Sequence, residues 1–373
     1  MNLPSSTSLP GDASIGAYIV TYKYTKLWQP ATQTDSLGKR TLVTYDNQGR
    51  ALTATEGTAT GSPAITVSSR YDKAGNLRYQ VDGNGNTTQY TYDQLNRKAS
   101  ATATVKDINN ATNICTTAYG YDANCNLTSE TDWRGNTYSY AYDALDRLAQ
   151  KTGPTGAAVE RLEYDDNGAQ TKSMDALGNA TQFQYDRNGR LAKTIDGAGN
   201  QQSQHYDAAG NVDLTVDGNM NSTHYSYDAF NRLVQVRNAL DEITEYTYDN
   251  CGNMLTQKDG LGNVTTVQYN ARNLPVRRIE PGGISGSNID LSKSESYTYR
   301  ADGSVATSTD QNGAKTTFAY DIHGRVLSKS SGALSASYTY DNNGNVLTQT
   351  DKSGTTARTY DSLNRTTSKN VLG

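Results

Sequence analysis

The sequence predicts an all-β protein, a curved antiparallel sheet built from tandem strand–turn–strand repeats of about 21 residues. Three observations predict this fold. The dipeptide Tyr-Asp recurs at regular intervals, the stretches between the pairs alternate in period two, and tyrosine is the dominant aromatic residue, with 27 Tyr against 3 Phe and 2 Trp. Because tyrosine combines a large apolar ring with a polar tip, this composition can build a core that stays partly wet.

The repeat is marked by Tyr-Asp pairs. The pairs predicted to form the structural repeat include Tyr92-Asp93, Tyr142-Asp143, Tyr185-Asp186, Tyr206-Asp207, Tyr227-Asp228, Tyr248-Asp249, Tyr320-Asp321 and Tyr340-Asp341. Two degenerate copies, Tyr269-Asn270 and Tyr299-Arg300, belong to the same series. From Tyr164 to Tyr269 every step from one tyrosine to the next has the same length. Such a regular run indicates an array of about fifteen units, each of which contacts mainly its neighbours.

A second turn divides each unit, because Asp196 and Asp217 follow Asp186 and Asp207 midway to the next Tyr-Asp pair. An aspartate at the first turn position can accept hydrogen bonds from the backbone amides just ahead of it. Gly or Asn further on tolerates the left-handed backbone that a bulged hairpin needs. Each unit is therefore expected to contain two turns and two short strands.

The stretches between the turns, such as NTTQYTY (86–92) and EITEYTY (242–248), alternate in period two and are rich in Thr and Tyr. Both features are typical of strands. Side chains two residues apart share one face of a strand, so Tyr246 and Tyr248 are expected to point the same way. Stacked units would then carry ladders of tyrosine along one face of the sheet.

The array is predicted to cover residues 35–373, after an irregular N-terminal segment at 1–34. Longer steps between Tyr-Asp pairs predict irregular insertions near 51–70, 98–115 and 280–293. Without a recognisable cap at either end, the last strand, near 358–373, is expected to leave an open edge that favours association.

Composition argues against several classes of protein. The formal net charge of −4 gives no reason to expect a nucleic-acid partner, and no run of apolar residues is long enough to predict a membrane span. The start carries no basic leader followed by an apolar run. The protein is expected to be exported or attached to the cell surface without a classical signal peptide, or else cytoplasmic.

No catalytic, cofactor or metal site is predicted, and the chain is expected not to be an enzyme. His205, His224 and His323 are scattered and favour structural roles. The turns at 82–86, 122–126, 217–221 and 341–345 resemble calcium loops in their alternating Asp and Asn but lack the Gly and Glu that an EF-hand loop requires. The cysteines Cys115, Cys125 and Cys251 form no motif.

Two features leave a binding role open. An arginine follows many Tyr-Asp turns at a fixed offset. We favour a structural role, in which it pairs with turn aspartates or covers an aromatic face, over a stripe that binds an anionic partner. These arginines are Arg97, Arg147, Arg190, Arg232, Arg325 and Arg365. The tyrosine ladders together with Asn and Asp turns would also suit a cell-surface glycan, although the same residues are needed simply to build the sheet.

The units YDALDRL (142–148), YDRNGRL (185–191), YDAFNRL (227–233) and YDNNGNVL (340–347) resemble the Rhs/YD-repeat family over about residues 35–365. The resemblance implies a β-sheet spiral that coils into a hollow shell. In bacterial Rhs proteins and Tc toxins such a shell encloses a toxin domain, and the similar shell of teneurins serves adhesion. The chain is therefore expected to be a structural segment of a shell, with other shell segments or an enclosed toxin domain as partners. The alternative is a cell-surface or carbohydrate-binding repeat module.

Overall fold

The computed structural model describes residues 5–12, 15–58, 64–106, 112–286 and 288–372, and strands fill most of the chain between turns. The first ten strands are β1 (Ser6–Leu9), β2 (Tyr18–Tyr24), β3 (Pro30–Asp35), β4 (Lys39–Tyr45), β5 (Ala51–Thr58), β6 (Ile65–Tyr71), β7 (Leu77–Val81), β8 (Thr87–Tyr92), β9 (Lys98–Lys106) and β10 (Thr112–Tyr121). The next fourteen are β11 (Leu127–Thr131), β12 (Thr137–Tyr142), β13 (Leu148–Thr152), β14 (Ala158–Tyr164), β15 (Gln170–Asp175), β16 (Ala180–Tyr185), β17 (Leu191–Ile195), β18 (Gln201–Tyr206), β19 (Val212–Val216), β20 (Ser222–Tyr227), β21 (Leu233–Arg237), β22 (Ile243–Tyr248), β23 (Met254–Lys258) and β24 (Val264–Tyr269). The last eleven are β25 (Pro275–Ile279), β26 (Ile284–Ser285), β27 (Asn288–Ile289), β28 (Ser294–Tyr299), β29 (Val305–Thr309), β30 (Lys315–Tyr320), β31 (Val326–Ser331), β32 (Leu334–Tyr340), β33 (Val346–Asp351), β34 (Gly354–Tyr360) and β35 (Thr366–Leu372).

Thirty-three of these strands belong to one sheet, in which strands that are neighbours in sequence pair antiparallel. Strands β26 and β27 form a separate two-stranded sheet. Among the described residues the only helix is a single 3₁₀ turn at Leu291–Lys293. The prediction of an all-β fold made of strand–turn–strand repeats is therefore confirmed.

The register of each Tyr-Asp hairpin contains a bulge just before its tyrosine. Between β16 and β17, for example, Gln184 lies opposite Lys193 but Tyr185 lies opposite Leu191, so one residue of β17 is extra. The same shift recurs between β20 and β21 and between β22 and β23. A bulge at this place follows from the turn that closes the hairpin, and it increases the local twist of the strands.

The sheet begins before the first Tyr-Asp pair. Strands β1, β2 and β3 lie within residues 1–34 or at their boundary, and they pair in order into the same sheet. The pair Tyr24-Thr25 follows the bulge between β2 and β3, one repeat length before Tyr45. Thr25 replaces aspartate there: its side-chain oxygen Oγ1 accepts hydrogen bonds from the amides of Leu27 and Gln29.

The three places with extra residues are built in two ways. Near 51–70 and 98–115 the added residues lengthen the hairpins β5–β6 and β9–β10, whose tips, 59–63 and 107–111, lie outside the described residues. Near 280–293 the added residues form the small β26–β27 hairpin and the 3₁₀ turn.

The chain divides into two compact units, residues 1–116 with 267–373 and residues 117–266. All apolar side chains buried among the described residues belong to the first unit. They are Ile15, Val20, Val105, Cys115, Ile279 and Ala336. The second unit is a sheet whose side chains are half-buried or exposed throughout. It is therefore held together mainly by backbone pairing, turn bonds and packing between neighbouring side chains.

Candidate functional site

Each Tyr-Asp turn is closed by its own aspartate. In the turn at 186–190, Oδ1 of Asp186 accepts hydrogen bonds from the amides of Asn188 at 2.8 Å and Arg190 at 2.9 Å. The amide of Asp186 donates to the carbonyl of Arg190, and that of Gly189 donates to the carbonyl of Asp186. Gly189 has φ +76°, the left-handed conformation that closes a bulged hairpin.

The second carboxylate oxygen binds the side chain four residues on. Nε of Arg190 lies 2.8 Å from Oδ2 of Asp186, and in the next unit Nδ2 of Asn211 lies 3.0 Å from Oδ2 of Asp207. The hydrogen bond from the Arg190 amide, followed by that from its guanidinium, lowers the pKa of Asp186. At Asp207 the side-chain bond from Asn211 is the main cause of a lowered pKa. The turn carboxylates are thus held ionised by donors from their own turn.

The recurrent arginines connect consecutive units. The guanidinium of Arg232 pairs with Asp228 of its own turn at 2.7 Å and lies 4.9 Å from the ring centre of Tyr248 in the next unit. Its Nη1 donates to the carbonyl of Asp249 at 2.8 Å. Arg147 and Arg325 make the same three contacts. Pairing with the turn aspartate and covering of a tyrosine ring therefore occur together.

The tyrosines of the Tyr-Asp pairs also link units. The hydroxyl of Tyr248 donates to the carbonyl of Leu233 at 2.7 Å, and that of Tyr142 donates to the carbonyl of Leu127 at 2.9 Å. In both pairs the acceptor lies 15 residues back, at the start of an earlier strand. Partial burial of these rings raises the pKa of Tyr142 and Tyr248. The tyrosines of one face therefore link neighbouring hairpins through a series of hydrogen bonds.

The other candidate residues are also engaged in the fold or exposed. His205 is exposed and contacts Asp213, whereas His323 is buried and its Nδ1 lies 2.9 Å from Oε1 of Glu56. His224 is exposed on β20. All three cysteines are free thiols, Cys115 buried and the other two exposed. Asn86, in a turn that resembles a calcium loop, donates Nδ2 to its own turn aspartate.

In the first unit, turns that are far apart in sequence bind each other. We call the turns that follow Tyr-Asp pairs the YD-turn row and the alternate turns the second-turn row. Asn84, in a second turn, donates Nδ2 to Oδ2 of Asp341, a YD turn, at 3.0 Å. Reciprocally, Nδ2 of Asn343 lies 2.7 Å from Oδ2 of Asp82, and the amide of Asn342 lies 2.9 Å from Oδ1 of Asn84. These five residues form a turn clasp.

Three more contacts join the same two segments of the first unit. The Ala271 amide donates to Oδ2 of Asp12 at 2.8 Å, and Oγ of Ser362 donates to the carbonyl of Thr104 at 2.6 Å. The third contact is the His323–Glu56 pair described above. Burial acts to raise the pKa of Glu56, but hydrogen bonds from His323 and Lys39 outweigh it and hold the pKa below its ordinary value. Each contact places a YD turn of residues 267–373 against residues 1–116.

Because these contacts bury some turns more than others, substitutions of equivalent turn aspartates are predicted to differ in their effect on the stability of the fold. Asp321 has the same turn bonds as Asp186, but only 12% of its side chain is exposed, against 25% for Asp186. Asp321→Ala is expected to lower the free energy of unfolding by about 2 kcal/mol, because it leaves two amides and a guanidinium short of an acceptor where water has poor access. Asp186→Ala is expected to lower the melting temperature by clearly less. Thermal unfolding of both variants, followed by circular dichroism, measures this; equal shifts would contradict it.

The described residues contain no group of three or more His, Cys, Asp or Glu side chains that could hold a metal ion. Nor does any helix in the described part of the chain have the length and apolar character to cross a membrane. What the described residues offer instead is the turns that close the hairpins and strands whose side chains are mostly half-buried or exposed.

Sequence reasoning missed Tyr24-Thr25 and the partners in the turn clasp. A step of one repeat length back from Tyr45 could have identified Tyr24, because the repeat position is kept although aspartate is replaced. No comparable sequence signal exists for the pairing of Asn84 with Asp341, since turns with Asp and Asn occur throughout the array.

Comparison with known proteins gives a consistent result. The family model for the RHS repeat matches residues 71–108, 121–158, 164–201, 206–243 and 227–264. No curated protein sequence matches the chain. The crystal structure of TcdB2-TccC3-TEV aligns with a TM-score of 0.62 at 13% identity, covering 94% of this chain and 23% of that one.

Two further solved structures align in a similar way. The crystal structure of TcdB2-TccC3 has a TM-score of 0.55 at 15% identity and covers 91% of this chain and 22% of that one. The Tc holotoxin pore of Photorhabdus luminescens has a TM-score of 0.55 at 14% identity, with 91% and 21% covered. At this identity the likeness concerns the fold, and the chain spans under a quarter of the length of these proteins.

Proposed function

Since this chain belongs to the RHS/YD-repeat family, we propose that it forms part of the wall of a β-sheet shell that encloses or presents a toxin or surface domain. The observation that carries the proposal is the turn clasp. Within the first unit, a YD-turn row binds a second-turn row through reciprocal Asn and Asp contacts between residues about 260 positions apart. A sheet whose turn rows bind one another can be extended layer upon layer, which is what a wall requires.

In residues 117–266 the turn tips leave large apolar side chains exposed. On the second-turn row Leu177, Leu240 and Leu261 are between 80% and 88% exposed, and on the YD-turn row Phe230 is 79% exposed. Leu363 occupies the same turn position as Phe230 but lies in the first unit, near the Ser362 contact, and is only 37% exposed. Exposed apolar residues repeated along an edge are typical of a surface that binds a partner.

We infer that these tips bind the turn rows of further RHS-repeat segments, supplied by the rest of a longer polypeptide or by a second copy. An enclosed toxin domain is the other proposed partner, in keeping with the Tc holotoxin among the structural relatives. A role as part of a wall also accounts for the aspartates, arginines and tyrosines of the repeat. Their side chains form bonds within and between units rather than holding a reacting group. We propose accordingly that the chain is not an enzyme and acts outside the cell or at its surface.

The exposed tips allow a direct test of wall formation. The chain is expected to associate as its concentration rises, and Leu240→Lys combined with Leu261→Lys is expected to keep it monomeric, because two ammonium groups cannot be buried unpaired against a second layer. Multi-angle light scattering over a concentration series measures the mass. Electron microscopy of the associated form is expected to show thin-walled particles around an empty interior.

A matched control separates the turn row from the sheet face. Ser139→Lys combined with Ser226→Lys adds the same charge at exposed strand positions and should leave association unchanged. A wild-type chain that stays monomeric at every concentration, or association that survives the leucine substitutions, would overturn the proposal that the turn rows join layers. Solid particles without an interior would count against enclosure.

A further inference from the structure

One turn of the second unit repeats the sequence of a turn that is bound in the first. In the turn clasp the second turn contributes Asp82-Gly83-Asn84, and the same three residues recur as Asp217-Gly218-Asn219. In both turns Oδ1 of the aspartate accepts the same two amides of its own turn. Asp82 and Gly83 are half-buried, whereas Asp217 and Gly218 are exposed. We call Asp217-Gly218-Asn219 the open clasp half.

A glycine at the second position lets the two turns of the clasp approach closely. A β-carbon added at Gly83 would lie 2.6 Å from the carbonyl oxygen of Asn342, closer than folded proteins tolerate. Of the second turns with glycine at this position in residues 117–266, at Gly197, Gly218 and Gly260, only that of Gly218 continues with asparagine. The other second turns of this unit carry a side chain there, namely Trp133, Pro154, Ala176 and Ala239.

The asparagine at the third position makes the bonds between turns. Nδ2 of Asn84 donates to Oδ2 of Asp341 at 3.0 Å, and its Oδ1 accepts from the amide of Asn342 at 2.9 Å. The backbone amide of Asn84 also lies 3.2 Å from Oδ1 of Asn343. Asn219 is exposed at the same turn position, with its backbone amide bonded to its own turn aspartate. Its side-chain donor and acceptor therefore both face solvent.

The aspartate of the clasp accepts a donor from each turn. Oδ2 of Asp82 accepts Nδ2 of Asn86, from its own turn, at 2.9 Å and Nδ2 of Asn343, from the partner turn, at 2.7 Å. Oδ2 of Asp217 has the first of these bonds, from Asn221 at 2.9 Å. The occupied clasp shows that this oxygen can take a second donor.

A long apolar side chain stands beside the open clasp half. Met220 follows Asn219 with a φ of +67°, at the position that Gly85 fills in the clasp, and it is 79% exposed. A left-handed backbone favours glycine or asparagine, so methionine does not stabilise the turn itself. Exposed apolar surface next to unused hydrogen-bonding groups is typical of a contact surface.

The matching partner is a YD turn that reads Asp-x-Asn-Gly, as the clasp turn at 341–344 does. Residues 117–266 contain two such turns, 165–168 and 186–189. The second residue is Asp166 in one and Arg187 in the other. Asp166 would add a carboxylate to the two aspartates of a clasp, whereas Arg187 would add a guanidinium that attracts them. The turn at 186–189 is therefore the better match, and its Asn188 is exposed.

We propose that the open clasp half binds the YD turn at 186–189 of a second copy of this chain. Nδ2 of Asn219 donates to Oδ2 of Asp186 in the other copy, and Nδ2 of Asn188 there donates to Oδ2 of Asp217. The inference rests on the proposed function, in which turn rows join layers, and specifies which turns meet. Because YD turns and second turns close opposite ends of the strands, the contact is head to tail, and further copies can add.

Cysteine cross-linking between two variants tests this pairing. Asn188→Cys and Asn219→Cys are made separately in a chain that also carries Cys125→Ser and Cys251→Ser, which remove the exposed thiols. Since the Asn84 amide lies 3.2 Å from Oδ1 of Asn343, cysteines at the third positions of clasped turns come within disulfide reach. Mixed with copper-phenanthroline as oxidant, the two variants are expected to form a 188–219 disulfide, identified by peptide mass spectrometry. Asn84→Cys combined with Asn343→Cys in one chain is the positive control.

A register control uses the preceding second turn. Ala198 lies at the third position there, after Gly197, but has no side-chain amide. Successive second turns are two strand spacings apart, about 10 Å. This exceeds disulfide reach, so Ala198→Cys is expected to give little product with Asn188→Cys.

A charge substitution gives a second, independent measurement. Asn219→Asp places a carboxylate against Asp186 of the other copy and is expected to raise the concentration needed for half-association at least about tenfold in light scattering. Asn312→Asp is the matched control, because it makes the same change at the third position of a second turn whose second residue is Gln311. It should leave association unchanged, and circular dichroism checks that both variants fold.

The pairing is overturned if the 188–219 product does not exceed that of the register control, or if Asn219→Asp associates as readily as Asn312→Asp. Association that persists without this disulfide would reject the pairing and leave the proposed wall in place. A chain that does not associate at any concentration would contradict both.

Discussion

Replacing Tyr248 by alanine is expected to lower the free energy of unfolding by about 2–3 kcal/mol, and replacing it by phenylalanine by about 1 kcal/mol. The tyrosine hydroxyl donates to the carbonyl of Leu233 at 2.7 Å, and the guanidinium of Arg232 lies 4.9 Å from its ring centre. Alanine removes both contacts and the packing of the ring, whereas phenylalanine removes only the hydrogen bond. Because the ring is half-buried, the loss stays below that of a fully buried aromatic residue.

Urea unfolding of the full chain, followed by circular dichroism, measures the difference. Tyr246 offers a matched control on the same strand and face, since its hydroxyl makes no hydrogen bond in the described part of the chain. Tyr246→Phe is expected to change stability by clearly less than Tyr248→Phe. If the two phenylalanine variants lose equal stability, the hydroxyl bond between hairpins does not contribute as we infer.

Acidification is expected to unfold the chain over a narrow range of pH below about 4. Many turn aspartates have a pKa lowered from the ordinary value of 3.8 by bonds within their own turn. They include Asp46, Asp72, Asp93, Asp132, Asp143, Asp175, Asp186, Asp196, Asp207, Asp217, Asp228, Asp249, Asp259, Asp321, Asp341 and Asp361.

The direction follows from proton binding. When the folded-state pKa lies below the unfolded value, the unfolded chain binds more protons as the pH falls, so protons favour unfolding. The contribution of each turn is complete above the unfolded pKa and is lost as the pH falls through the lowered folded pKa. Because many equivalent turns titrate together, the transition should be steep.

The midpoint of urea unfolding, measured at constant ionic strength from about pH 7 to pH 2.5, tests this expectation. It should be flat down to about pH 5 and then fall steeply. A variant with Asp186→Asn and Asp207→Asn, which cannot ionise at two turns, should start lower but fall by less. A midpoint that stays constant to the acid end of the series would show that the turn carboxylates are not linked to folding.

The fold was predictable from the sequence because its determinants are local. Asp186, Gly189 and Arg190 lie within one turn, and their bonds close that turn whatever the neighbouring units contain. The spacing of Tyr246 and Tyr248 likewise assigns both rings to one face. The array could be traced even through degenerate pairs such as Tyr269-Asn270, because each unit repeats the same local pattern of turn and strand residues.

Contacts between adjacent units were only partly predictable. The series of arginines suggested pairing with an aspartate or covering of a ring, but not that Arg232 reaches both Tyr248 and the carbonyl of Asp249. The distances from the Arg232 guanidinium to these two partners depend on the twist between strands, which the sequence pattern does not specify.

The sequence by itself determined the repeat, its turns and the face on which the tyrosines lie, because bonds between residues a few positions apart depend on residue type and spacing alone. Only the tertiary structure decided that Asn84 meets Asp341 and that His323 meets Glu56, across 257 and 267 residues. Which turns meet over such separations depends on small rotations added over many strands, and nearly identical turns compete for the same partner. Position in the folded chain therefore decides which of the many similar Asp and Asn turns form the clasp.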